Sequence, residues 1–499
     1  MTAKREHRLG STGRAVQLLA PAALFLAVSS AVRAGVGRGA GRGQKSRARP
    51  RIVRRGDEMA GGSATVKDAP DVAIVSPYPA LGARHGGSSG VASYAANLAR
   101  SLALEGLRVA VVAPKEAGEP PTGQDPSAPQ GRVVVHRSFN KGWGALPAAA
   151  RAALATRAPV VHVQHEVFLY GGPGSVPGLI VALGVLRLSG RRTVVTLHQV
   201  VDPGSVDSGF TELHRVSIPP LLARAALALV QRALSGLAHT AVVLEDSFTS
   251  VVPGATTVPH GVEEVLEAPQ DGRVARSDGS HLRSRLNLDE DALVVLCFGF
   301  IAPYKGLETA LEAAAIAGPA VRLVVAGGEH PRLRGRDPYA NELRDHYGKV
   351  ASFIGYVPDE EVHATFASCD LALFTYPRPF SSSGALALAL AHRTPLLVSP
   401  ALGKSIGAPA ELVCSTAPGE LAQHLLELRS DRRMLVALGE MSHSLASGRS
   451  WRDVAVRHLS VYRSPIEGTR TVDSRTTNEA VVLADGRGIS SAHATADIS

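Results

Sequence analysis

The sequence predicts an α/β protein of two Rossmann-like parallel-sheet domains facing each other across a cleft. Three observations carry that prediction. Short apolar runs alternate with helical periods from Asp71 to Tyr462. A single polar stretch, Arg273–Asp291, interrupts the alternation. The chain, at 499 residues, is long enough for two or three domains with ordinary cores.

In chain order, residues 1–69 form a basic tail and 70–272 the first domain. DVAIVSPYP (71–79) is an apolar run ending in turn residues. GVASYAANLARSLALEG (90–106) places Val91, Tyr94, Leu98 and Leu102 on one helical face, closed by Gly106. RVAVVAP (108–114) follows, and strand, helix, strand at these lengths is a βαβ unit with its sheet covered on both faces. ALPAAARAALATRA, PVVHVQHE, a helix near 174–189, RTVVTLHQ, a long helix over 218–237, AHTAVVLEDS and TTVPHGVEE continue the pattern. Residues 273–291 read as a linker and 292–449 as the second domain. There LVVLCFGF, KGLETALEAAAIA and VRLVVAGG form one βαβ unit. VASFIGYVP, DEEVHATFASC, DLALFTYP, GALALALAHR and PLLVS then repeat the theme, with 421–445 helical. A last helix, 450–464, offers Trp451, Val454, Val456, Leu459 and Tyr462 as an apolar side, and 465–499 reads as a polar, disordered tail.

Composition removes several classes of function. The net charge of +9 resides in the tail: residues 1–58 hold 13 Lys and Arg against 3 Asp and Glu, leaving 40 basic and 41 acidic residues elsewhere. With aromatics at 4% as well, the body is not built to bind nucleic acid. Cys297, Cys369 and Cys414 are too few and too scattered for a disulfide framework or a zinc knuckle. Ala15–Val32 is apolar behind Lys4, Arg5, Arg8 and Arg14, as in a signal sequence. It contains Gln17, Pro21 and Ser29-Ser30, however, and the basic run Arg33–Arg55 behind it opposes export. The expectation is a dispensable tail, with Met59 an alternative start, ahead of a weak membrane anchor and ahead of secretion. A cytoplasmic protein follows, at the inner face of the membrane if it touches one.

An open parallel sheet binds ligands beyond the carboxyl ends of its strands, so the loops there carry the candidate chemistry. After the first strand, Gly86, Gly87 and Gly90 let the backbone approach a phosphate beside a helix start; the G-x-G-x-x-G spacing of a dinucleotide site is absent. His165 and His198 close two strands of the same sheet, placed for proton transfer or for bonds to sugar hydroxyls, or else for structure alone. In the second half, Lys305 follows a strand ending at Gly299 and precedes a helix, where an ammonium can neutralise a diphosphate. Gly328 ends the next strand. Ser381, Ser382, Ser383 and Gly384 offer hydroxyls, an N-cap and free amides, which together make an anion site. No Asp, His or Cys cluster has metal spacing, so metal-independent chemistry is expected.

Jointly, SPYP…GGSSGVASYAANLARSL, VVHVQHEVFLYGG, TLH, PHGV, FGFIAPYKGLE, AGG, FIGYVPDEEV and SSGALALALAHRTPLLVS resemble the GT-B glycosyltransferases of family four, over about Asp71 to Tyr462. The resemblance implies the GT-B fold, a UDP- or GDP-linked sugar donor on the second domain, an acceptor on the first, retention of configuration and no metal or other cofactor. It places Lys305 on the diphosphate, Gly86, Gly87 and Gly90 along the phosphates, His198 by the transferred sugar and Ser382–Gly384 on the phosphate or sugar. It also implies that the last helix crosses back to the first domain. Two departures stand out: Phe300 follows Gly299 where the family often has arginine, and Phe380 and Leu388 occupy the places of its paired glutamates. A Ser-Ser-Gly-Ala-Leu subgroup matches better.

The expected reaction moves a sugar from a nucleotide-sugar to a growing glycan or a lipid-linked sugar, as in polysaccharide biosynthesis. A non-catalytic nucleotide-sugar binder and a sugar-nucleotide epimerase on the same scaffold are the alternatives. The helix over 218–237, with Arg224 and Arg232 among Leu and Ala, suits peripheral contact with a membrane and, more simply, ordinary packing.

Overall fold

Strand β1 (Val72–Val75) is buried at every residue, as expected for a strand with helices on both faces of its sheet. The computed structural model describes residues 69–83, 89–167, 169–171, 175–213, 218–263, 283–287, 291–328 and 337–464. Both expected tails, most of the linker, and Gly86 and Gly87 lie outside them.

The first sheet comprises β1, β2 (Val109–Pro114), β3 (Thr122–Gln124), β4 (Val133–Phe139), β5 (Val160–His165), β6 (Arg192–Leu197), β7 (Thr240–Val243) and β8 (Thr256–Thr257). Their order is β3-β4-β2-β1-β5-β6-β7-β8, parallel except for β3 against β4. Among the described residues five helices accompany it: α1 (Gly90–Leu104), α2 (Ala145–Ala155), α3 (Val176–Leu188), α4 (Ser208–Leu213) and α5 (Pro220–Leu237). The second sheet, in the order β11-β10-β9-β12-β13, is parallel throughout: β9 (Leu293–Phe298), β10 (Val321–Ala326), β11 (Ala351–Gly355), β12 (Leu371–Phe374) and β13 (Leu396–Val398). With it go α6 (Leu307–Ala317), α7 (Pro338–Tyr347), α8 (Asp359–Ala367), α9 (Gly384–Ala391), α10 (Pro400–Ile406), α11 (Pro418–Ser430) and α12 (Arg432–Ala446), and a last helix, α13 (Trp451–Arg463), follows.

Strand order reverses beside β1 in the first sheet and beside β9 in the second. Chains leaving adjacent strands diverge there and open a crevice, which is where such sheets bind ligands. The reversal beside β9 separates the loop holding Lys305 from the loop holding the serines.

Several elements depart from the sequence reading. GRVVVHRSF supplies β4, which pairs with β2 (Val109↔Val133) and is edged by the antiparallel β3. The expected helix 421–445 is two, broken at extended Asp431, whose side chain accepts from the Arg433 amide. Helix α10 follows Ser399-Pro400, an N-cap followed by a first-turn proline.

Helix α13 returns to the first domain. A capping box between Ser450 and Asp453 starts it, and Trp451, Val454, Ala455, Val461 and Tyr462 join the core of Val72, Ile74, Tyr94 and Leu98. Val456, assigned from the sequence to the apolar side, is exposed, and His458 is buried instead. Its Nδ1 donates to the Val454 carbonyl at 2.8 Å.

Candidate active site

Lys305 sits in a short 3-10 turn, Pro303–Lys305, directly before α6. Its side chain folds back beneath β9. Nζ donates to the Phe298 carbonyl at 3.4 Å and lies 5.3 Å from the centroid of the Tyr376 ring. The side chain is 6% exposed, and among the described residues no carboxylate pairs with it. Burial pulls its pKa below the ordinary lysine value. A buried ammonium without an anion is costly, and an anionic ligand relieves that cost.

Gly299 explains how the ammonium fits. Its φ is 103°, and a Cβ there would stand 2.6 Å from Lys305 Nζ and 3.4 Å from the Ala385 Cβ. Lys305 and the first turn of α9 therefore converge on one bare stretch of backbone. On the neighbouring strand it is Gly327 that is pressed: a Cβ there would fall 2.0 Å from the Gly299 carbonyl oxygen. Gly328 has only ordinary clearance, with its nearest neighbour at 3.6 Å.

The three serines have divided tasks. Ser383 Oγ caps α9 by accepting the Leu386 amide at 3.2 Å and also meets the Tyr376 hydroxyl at 3.1 Å. Ser382 Oγ donates to Oε1 of Glu245, in the first domain, at 2.7 Å. Ser381 forms a bridge with Gln199, beside which the Val200 amide donates to the Phe380 carbonyl at 2.7 Å. The amides of Gly384 and Ala385, at the open end of α9, have no helical acceptor. At the places of the family's paired glutamates, Phe380 stacks edge-on against Tyr304 at 5.4 Å and Leu388 packs against the second core.

The first domain brings His165 and His198 to adjacent strand ends, where the His198 amide donates to the His165 carbonyl at 2.8 Å. Both rings are buried. Burial holds His165 down to about 4, and burial followed by repulsion from His260, His165 and His458 holds His198 down to about 3, so both are neutral at pH 7. His198 Nε2 donates to Gln164 Oε1 at 2.8 Å, leaving Nδ1 as an acceptor, and Tyr94 stands edge-on at 4.6 Å. Behind Gln164 a polar chain continues through His162 to Tyr462 of α13, whose hydroxyl meets His162 Nδ1 at 2.8 Å. Gly90 opens α1 under a Ser89 cap and has no close neighbour, so no steric demand for glycine exists there.

The Gln199–Ser381 bridge thus brings the strand end bearing His198 against the serine turn that neighbours Lys305. Gln164, Tyr376 and Glu245 were not singled out from the sequence, and Tyr94 was read only as part of a helix's apolar face. Each is a common residue in an apolar run or after a strand, and only the topology aims it at the seam. Among the described residues no group of three or more His, Cys, Asp or Glu is placed to hold a metal ion.

The glycosyltransferase family 4 profile matches residues 88–263 and the glycosyl transferases group 1 profile residues 279–438. The protein is a glycosyltransferase of GT-B fold. D-inositol 3-phosphate glycosyltransferase 1 of Catenulispora acidiphila is 28% identical over 445 residues, 82% of this chain and 98% of that protein. Sucrose-phosphate synthase of Thermosynechococcus elongatus has a TM-score of 0.59 at 18% identity, over 79% of this chain and 98% of the other. Anabaena HepE in complex with UDP and glucose has a TM-score of 0.58 at 14% identity, over 79% of this chain and all of the other. The chain carries a family 4 domain followed by a group 1 domain.

Proposed function

We propose that the protein transfers a sugar from a nucleoside diphosphate sugar to a hydroxyl of a glycan or lipid-linked acceptor, with retention of configuration. The observation that carries this is Lys305, a buried ammonium without a carboxylate partner beside the open amides of α9. The acceptor hydroxyl attacks C1 on the face from which the diphosphate leaves. The C1–O bond to phosphate breaks, a C1–O bond to the acceptor forms, and the departing phosphate oxygen takes the acceptor proton. Lys305 and the α9 amides stabilise the departing charge, and closure of the two domains excludes water. Neutral His198 offers an acceptor nitrogen to a sugar hydroxyl. HepE, solved with UDP and glucose, supports a UDP-sugar donor.

The test is a thermal-shift panel of UDP, GDP, ADP and their sugars. A ligand at about 100 times its Kd adds about 2.7 kcal/mol, so UDP and a UDP-sugar should raise Tm by a few degrees. No shift with any of the panel would overturn the reading. Turnover with the donor so found should persist in EDTA; loss restored by Mg²⁺ or Mn²⁺ would overturn metal independence.

A lipid-linked acceptor at the cytoplasmic membrane face has support from α5. Of its 18 residues Gln231 and Leu234 are buried, with Val230 and Leu237 packed partly against the first core, so the ordinary packing that was the simpler expectation holds on that side of the helix. Leu221 (72% exposed), Leu222 and Leu229, with Val181, Val185 and Leu188 of α3, present apolar surface. Neither helix contains Asp or Glu, while Arg187, Arg224 and Arg232 lie among these residues. Apolar surface with only positive charge suits an anionic bilayer. Among the described residues no helix is long and apolar enough to cross one. The full chain should sediment with phosphatidylglycerol vesicles at high salt, and Leu221→Asp/Leu222→Asp should weaken this about tenfold or more. Equal sedimentation of the variant would overturn the assignment to this face.

A further inference from the structure

Glu245 follows β7 in the first domain, yet its carboxylate serves the second. It is 4% exposed, and Oε1 accepts from Ser382 Oγ at 2.7 Å. Oε2 stands 3.8 Å from Nη1 of Arg449. Arg449 belongs to the segment where the chain recrosses between domains: its carbonyl accepts the Val262 amide at 2.7 Å, and its Nη2 donates to the Ile406 carbonyl at 3.1 Å. One acid therefore joins the serine turn to the recrossing segment. The carboxylates that resemblance led one to expect on the donor side are absent from Phe380 and Leu388, and this carboxylate reaches the turn from the facing domain.

We propose that Glu245 is a positioning residue of the donor site, holding the Ser381–Gly384 turn through Ser382 across the domain seam, so that the anion cradle is complete only when the domains are closed. This rests on reading Lys305 and the serine turn as the donor cradle. The direction of the Gly384 and Ala385 amides follows from the turn's conformation, and a misdirected donor stabilises little charge. With Ser382 released, the turn retains the Ser383 cap and the backbone pairing to Val200, so the effect falls on orientation and not on the existence of the helix.

The bond also has a pH signature. Burial holds Glu245 up to about 7, with Arg449 and the Ser382 bond drawing it down and Asp246 pushing it up. His260, also buried near Arg449, is held below its ordinary value, first by burial. A group whose pKa is higher in the closed state takes up a proton on closing. Closure, and ligand binding coupled to it, is therefore favoured at pH 6 and lost as pH rises through 7.

The experiment is calorimetric titration of UDP into the full chain at pH 6 and pH 8, for the wild type, Glu245→Ala, Glu245→Gln and Ser382→Ala. Glu245→Ala should weaken UDP binding about tenfold at pH 6, and adding Ser382→Ala should weaken it no further. Glu245→Gln, which keeps the accepting oxygen without the charge, should match the wild type at pH 6 and exceed it at pH 8. Wild-type binding about tenfold weaker at pH 8 than at pH 6, with Glu245→Gln free of that loss, is the result expected. If Glu245→Ala fails to fold, Ser382→Ala, which removes the same bond from the other side, decides. UDP affinities at pH 6 equal to the wild type's in both Glu245→Ala and Ser382→Ala would overturn the positioning role while leaving the donor site standing. A wild type that binds none of UDP, GDP and ADP would overturn the donor reading beneath it.

Discussion

Lys305→Met is expected to lower turnover about 10²–10³-fold, the scale set by removing one preorganised donor from a developing oxyanion, while Tm holds or rises. The two halves of that result have one cause. The ammonium is buried against the Phe298 carbonyl and the Tyr376 ring, with no carboxylate partner among the described residues. Methionine keeps most of the apolar stem and removes the charge, so folding gains what the ligand loses. Lys305→Arg should not rescue turnover, because a planar guanidinium cannot occupy the narrow space beside Gly299. Steady-state kinetics with the donor identified by thermal shift, alongside calorimetric Tm, makes the comparison. Near-normal turnover, or a Tm lowered by several degrees, would show that Lys305 serves the fold instead.

Trp451→Ala is expected to cost about 3–5 kcal/mol of stability and to reduce activity without touching the cleft. The indole lies over Gly261, where a Cβ would come within 2.3 Å of it, and stands edge-on to Tyr94 at 5.1 Å and to His260 at 5.7 Å. Removing it leaves a void between α13 and α1. It also loosens the helix carrying Tyr462, the outer end of the polar chain through His162 and Gln164 to His198. Urea denaturation should show a lowered midpoint. A midpoint equal to that of the wild type would mean that α13 contributes no stability to the first domain.

The parallel strands announced themselves because burial on both faces requires unbroken apolar runs, as in VAIV and LVVLCF. Helix α1 did so through Val91, Tyr94, Leu98 and Leu102, all buried. Strand β4 escaped notice because its apolar run is only three residues long before His136, Arg137 and Ser138, which read as a loop. Arg137 is nevertheless buried, donating to the carbonyls of Tyr78 and Pro79 and pairing with Glu119 at 3.1 Å. The break at Asp431 was hidden by helix-compatible residues on both sides, although Asp before Arg-Arg is a cap signal. Lys305 and Ser383 were visible locally, because a strand end and a helix cap are local events. Glu245 was not. Its meaning depends on Ser382, 137 residues away, and no periodicity encodes a meeting between two domains.

The return of α13 has a consequence for how the protein is made. The core built on Val72, Ile74 and Tyr94 is completed by Trp451, Val454 and Tyr462. A ribosome releases those residues only after the whole second domain has emerged. The first domain is therefore the last to be finished, and until then its partly formed core faces solvent beside a fully synthesised neighbour. Nascent chains arrested before Trp451 should need chaperone protection that chains arrested after Tyr462 do not.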